Sequence, residues 1–175
     1  ISSLARTKAV FERDVLPTFL ARSRWFPERS ARAISTYVHA VVPLSLEPQS
    51  RPWLVLFDAK LHGEPERYSM PVRILWEGLD RRHFNPKALA AVRQGAKEGT
   101  LFDVATDSRF VSTLLADLRK ASVLIEGDYQ VHFRPTERLR TIAEEPIESV
   151  RAVETEQSNS TALVDDSYVV KIYRK

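Results

Sequence analysis

Three successive stretches of period-two hydrophobicity limit the fold more than anything else in the chain. Ile34, Thr36, Val38, Ala40, Val42 and Leu44 fall on one face, and Trp53, Val55, Phe57, Ala59 and Leu61 repeat the pattern. After the turn signal H-G-E-P-E-R, a third run places Tyr68, Met70, Val72, Ile74 and Trp76 in alternation. Successive side chains of a strand point to opposite faces, so each run reads as a strand with one apolar side. Three such neighbours, with a short turn between the last two, predict an antiparallel meander. Pro71 lies inside the third run and brings no N–H to a ladder, which predicts an edge or bulged strand.

Helical spacing brackets these strands. Leu4, Phe11, Val15 and Phe19 recur near a helical period, and Pro17 must kink or end that helix and restart it at L-P-T-F-L-A-R. A short helix is predicted between Asn85 and Gly95, with Pro86 in its first turn and Gly95 near its end. Asp107 caps a stronger helix whose stripe is Phe110, Val111, Leu114, Leu115 and Leu118. Val123 to Ile125 and Tyr129 to Phe133 flank E-G-D as a hairpin. The mixed-charge segment that follows changes character, which places a boundary near Pro135 and divides the chain into 1–135 and 136–175.

Charge and composition exclude several classes. The 175 residues carry 26 basic against 23 acidic side chains, a net +3 that argues against a nucleic-acid-binding face. The cluster Arg22, Arg24, Arg29 and Arg32 is broken by Trp25, Phe26 and Glu28 and reads as a solvated surface. Without cysteine there is neither a disulfide framework nor a thiolate site, which suits a reducing compartment, and we read the cytoplasm. No apolar run approaches the roughly 20 residues of a membrane span. His39, His62, His83 and His132 show no metal-ligand spacing, and no Walker A, G-x-G-x-x-G or G-x-S-x-G motif occurs. Trp25 and Phe26 read as core anchors in preference to a ligand platform. The chain opens on Ile1, which points to a piece of a longer protein.

Chemistry concentrates in the last residues. Glu156-Gln157-Ser158-Asn159-Ser160-Thr161 form a polar, hydroxyl-rich loop, followed by a short apolar run, a tight Asp165-Asp166 turn, and a second run carrying Lys171. A phosphate needs N–H groups and hydroxyls converging on it, and a lysine on an adjacent strand supplies the compensating charge. Protein kinases place their nucleotide lysine on a strand after the phosphate-covering loop, in the pattern V-A-I-K; here the pattern is V-V-K-I.

The stretch E-Q-S-N-S-T-A-L-V-D-D-S-Y-V-V-K-I-Y-R-K resembles the corresponding segment of bacterial maltokinases, which are often fused behind trehalose synthase. L-P-T-F-L-A-R-S-R-W-F, E-R-Y-S-M-P-V and G-T-L-F-D-V-A-T-D-S-R-F resemble the amino-terminal cap of that family, so the likeness spans nearly the whole chain. Arg29-Ser30 departs from it, since the family usually has lysine-glycine after R-W-F. The resemblance implies an α+β fold: a curved antiparallel sheet with flanking helices as a cap over 1–135, then the first strands of a protein-kinase-like amino-terminal lobe over 136–175. It implies ATP-dependent phosphorylation of maltose to maltose 1-phosphate in α-glucan (glycogen) metabolism, with Mg²⁺ in the full-length parent. Lys171 would then pair with the nucleotide's phosphates, Ser158, Asn159, Ser160 and Thr161 would lie over them, and Glu156 and Gln157 would shape the loop entrance. No catalytic or metal-binding residue of that kind falls within these 175 residues. The implied partners are maltose, ATP and a trehalose synthase domain, with neither nucleic acid nor membrane, and a homo-oligomer is compatible. The alternative is a non-catalytic cap or assembly module of a trehalose synthase, which interconverts maltose and trehalose.

Overall fold

The computed structural model describes residues 2–44, 51–77, 87–137, 139, 147–153 and 159–175. It is an α+β fold in which antiparallel sheets predominate. Helix α1 (Ser2–Val10) runs through a π-helical turn at Phe11–Val15 into α2 (Leu16–Arg22). The Leu16 N–H bonds back to the carbonyl of Phe11, the five-residue reach of a π turn, and Pro17 begins α2 at a position where its missing N–H costs nothing. The interruption that Pro17 predicts therefore takes the form of a π turn between two α-helical segments.

The three period-two runs form β1 (Ser35–Pro43), β2 (Trp53–Lys60) and β3 (Glu66–Trp76) as an antiparallel meander. β5 (Lys97–Asp103) pairs with β3, and β4 (Lys87–Gln94) with β5, giving a five-stranded sheet of order β1-β2-β3-β5-β4. The outer edge of β1 is covered by the π turn. The Glu12 carboxylate accepts from the Val38 N–H at 2.6 Å, and the Thr36 hydroxyl donates to the Glu12 carbonyl at 2.6 Å.

Two expectations need correction here. Residues 87–94 are a strand and not a helix; Asn85 and Pro86 lie outside the described residues. Gln94 pairs with Lys97 across a two-residue loop in which Gly95 adopts φ +61°, so this glycine opens a hairpin turn instead of closing a helix. The alanine-rich run 88–91 favours helix locally, but pairing along the whole length of β5 overrides that preference. The stretch G-T-L-F-D, assigned to no element by its pattern, is the partner strand.

Pro71, for its part, sits on a central strand. One flank of β3 changes neighbour at this point. β5 pairs along 72–76, and on the far side of Pro71 the end of the chain takes over, with the Ser69 N–H donating to the Arg174 carbonyl at 2.7 Å. The Pro71 carbonyl accepts from the Val104 N–H at 3.0 Å just beyond the end of β5. A missing N–H is tolerated at such a seam, where the ladder is interrupted anyway.

Helix α3 (Ser108–Arg119) begins as its sequence predicts: the Asp107 carboxylate accepts from the Phe110 N–H at 2.9 Å. β6 (Val123–Glu126) and β7 (Tyr129–His132) form the hairpin around Gly127, which has φ +58°. β8 (Val150–Val153), β9 (Asn159–Val164) and β10 (Tyr168–Tyr173) form a separate three-stranded antiparallel sheet of order β10-β9-β8.

Two apolar clusters hold these layers. The first lies between α2 and the five-stranded sheet: Leu16, Phe19 and Leu20 pack with Val55, Phe57 and Met70. Trp25 and Phe26 belong to it, as their aromatic character predicts; the rings meet edge-on at 5.8 Å, and Tyr68 packs against both. The second joins Phe110 and Val111 of α3 to Ala162 and Val164 of β9, with Val170 and Ile172 of β10 against them. Residues on both sides of Pro135 thus share one core.

Candidate functional site

The site is built on the β8–β10 meander. The register pairs Val153 with Thr161 and Thr161 with Lys171, so three adjacent strands bring these side chains to one face. The turn between β9 and β10 is tight: Asp165 and Asp166 take φ +48° and +49°, a left-handed conformation that Asp tolerates better than most residues. The Asp165 carboxylate accepts from the N–H groups of Glu148 and Ser149 at 3.0 and 2.7 Å, and its own N–H donates to the Ser149 carbonyl at 3.1 Å. That clamp ties the start of β8 to the hairpin tip. An exposed ion pair, Arg151 to Asp166 at 3.0 Å, adds little energy at such a site.

Alternation divides the sheet into two faces. Ala162, Val164, Val170 and Ile172 turn toward α3 and enter the second core cluster. Thr161 and Lys171 lie on the opposite face; Thr161 is buried, while Lys171 is exposed. Of the seven residues that the sequence nominates for ATP, Thr161 and Lys171 are therefore side by side. Asn159 opens β9 opposite Tyr173 at the far end of the same face. Ser160 faces the other way, and Glu156, Gln157 and Ser158 lie outside the described residues, between the end of β8 and the start of β9.

Ser160 serves a different group. Its hydroxyl accepts from Arg174 Nε at 2.9 Å and Nη2 at 2.6 Å, and the same Nη2 meets the Asp103 carboxylate at 2.7 Å. Arg174 is 2% exposed, and its guanidinium lies 4.9 Å from the ring centre of Trp25, close enough for a cation–π contact. The second Asp103 oxygen accepts from the Ala105 N–H at 3.0 Å, so this buried carboxylate is bonded through both oxygens. Alongside, the Tyr173 carbonyl accepts from the Ser69 hydroxyl at 3.0 Å, and Lys175 Nζ pairs with Glu66 at 2.6 Å.

Arg174 is the residue that motif reading passes over. A signal for it exists: continuing the alternation 170, 172, 174 puts an arginine on the core face of β10, where a charge survives only if it is paired. A second buried arginine, Arg73, stands 3.9 Å from Asp107. Burial pushes the Asp107 carboxyl above the usual carboxylate range, against the opposing pull of the Phe110 N–H and of Arg73. Tyr68, next to the seam, donates to Glu66 at 2.8 Å; burial first, and then that bond, push its phenol up to about 12.

Among the described residues no cluster of three or more His, Cys, Asp or Glu could hold a metal ion, and no helix is long and apolar enough to cross a membrane. What the geometry offers is one wall: a three-stranded sheet with an exposed lysine on one face and with its other face committed to a core. No protein-family model matches the chain, and no curated protein matches it either.

Proposed function

We propose that these residues are the amino-terminal part of an ATP-dependent maltokinase, a cap followed by the first strands of a kinase-like lobe, acting in concert with a trehalose synthase. One observation carries the reading: strand, polar connection, strand, tight turn and lysine-bearing strand follow one another as a meander, with Lys171 on the face that the core leaves open. That order suits a nucleotide whose phosphate charge meets Lys171. The face carries Thr161 and Asn159 but no carboxylate from β9 or β10, so these strands fit the phosphates and do not fit Mg²⁺, which would be held elsewhere in the parent. Ser160, bonded to Arg174, serves this reading as support for the wall and not as a phosphate contact.

Phosphoryl transfer depends on positioning and charge neutralisation, so loss of the lysine should remove activity while sparing the fold. The test is maltose 1-phosphate formation from maltose, ATP and Mg²⁺ by the full parent protein and by its Lys171→Met variant. Lys171 is exposed, and an apolar side chain fits a strand there, so wild-type thermal unfolding and a fall in kcat of about a hundredfold or more are expected. A parent that makes no maltose 1-phosphate, or a variant that makes it at the wild-type rate, refutes the reading.

A further inference from the structure

We propose that Arg174 is a positioning residue: seated on Asp103 and Ser160, it fixes the Lys171 strand against the five-stranded sheet. The inference rests on the kinase reading only where it concerns ATP. Three observations carry it. First, the apolar packing of the β8–β10 sheet on the rest of the chain is the second cluster, and apolar contact is not directional, so its placement is left to polar contacts, of which Ser69 makes two, to the carbonyls of Tyr173 and Arg174. Second, the Arg174 side chain is the buried, charged member of these contacts. Its Nη2 reaches Asp103 at the end of β5 and Ser160 on β9 at once, while its face lies over Trp25, a combination satisfied at one placement only. Third, Arg174 lies three residues from Lys171, about 10 Å along a strand, so a shift at one end is delivered to the other.

Burying a guanidinium and a carboxylate is a poor route to stability, because their desolvation consumes most of the attraction; fixing a register is the best-attested use of such a pair. The Ser69–Arg174 backbone bond reports the same coordinate, since it forms only when the chain end lies beside β3. Val104, whose N–H bonds to Pro71 on the other side of the seam, is an internal reference.

The decisive variant combines Asp103→Asn with Arg174→Met in the full parent protein. Asn keeps an acceptor for the Ala105 N–H, and Met keeps packing on Trp25, so both charges leave with little loss of contact. The expected result is a Tm close to wild type, with amide exchange at Ser69 accelerated about tenfold or more relative to Val104. In a parent that phosphorylates maltose, kcat per folded molecule falls and KM for ATP rises, because a displacement near 1 Å at a reacting group costs up to about a hundredfold. Should the double variant not fold, Arg174→Lys keeps the charge and loses the fork, and intermediate values of both readouts are expected. An unchanged Ser69-to-Val104 exchange ratio overturns the proposal, and so does a raised ratio with wild-type KM for ATP. If the wild-type parent does not phosphorylate maltose, the kinase reading fails alone and the exchange ratio decides the role of Arg174.

Discussion

Replacing Trp25 with alanine should produce the largest single loss of stability among the residues discussed here. Trp25 is 7% exposed, follows α2 where the chain turns back, and touches Phe26 at 5.8 Å and Tyr68 at 6.1 Å between ring centres. Truncating a buried tryptophan to alanine typically costs about 3–5 kcal/mol. In a domain of this size about 1 kcal/mol lowers Tm by about 2–4 °C, so a fall of roughly 6–20 °C is expected. Part of that loss belongs to the guanidinium of Arg174, 4.9 Å away, and a buried cation–π contact contributes about 1–2 kcal/mol. A double-mutant cycle of Trp25→Ala and Arg174→Met, followed by urea and thermal unfolding in far-ultraviolet circular dichroism, isolates this share. Trp25→Phe is the control. It keeps a ring against Phe26 and Tyr68, and it discards an indole N–H that has no acceptor among the described residues, so its cost should be well under half that of alanine. A Trp25→Ala loss below about 1 kcal/mol would refute the reasoning, because the side chain would then not be the joint between α2, the sheet and the chain end.

Two further predictions concern titratable groups. Asp107→Ala should destabilise by about 1–2 kcal/mol through loss of the α3 cap, with more lost from the carboxylate that faces Arg73, whereas Asp107→Asn retains the acceptor for Phe110 and should cost less; urea midpoints order the two variants, and equal losses would show that the cap contributes nothing. Tyr68 has a folded pKa raised from 10.0 to about 12, so its preference for the folded state is complete below pH 10 and is lost as pH rises toward 12. Unfolding free energy measured across that window should fall more steeply in wild type than in Tyr68→Phe, and parallel curves would remove burial of the phenol as the cause.

How far the fold was legible depends on where each element finds its partner. β1, β2 and α3 announce themselves because their apolar periods reflect one buried side; β3 alternates as they do, although Pro71, Arg73 and Leu75 on its other side are buried too, and the turns at Gly127 and Asp165-Asp166 carry residues suited to left-handed backbone. β4 hides because alanine at 88, 90 and 91 has no strong strand preference; only pairing with β5 decides its conformation. Pro71 misleads for a related reason. Its tolerance depends on the chain end arriving beside Ser69, which no local window shows. At the candidate site, Lys171 and Thr161 could be paired from strand spacing, while the turning away of Ser160 follows from Arg174, whose carboxylate partner lies 71 residues upstream.

The seam on β3 also bears on how the chain is made. Ser69 and Tyr173 are 104 residues apart, which at 5–20 residues per second is roughly 5–20 s of synthesis. For that interval β3 is complete while part of its flank has no neighbour, in the condition that invites pairing with another nascent chain. Pro71 stands at that spot with no N–H to offer, interrupting the template where a foreign strand would otherwise add. The same proline that the finished sheet tolerates at a junction thus guards the unfinished one, until the strand that relieves it is made 104 residues later.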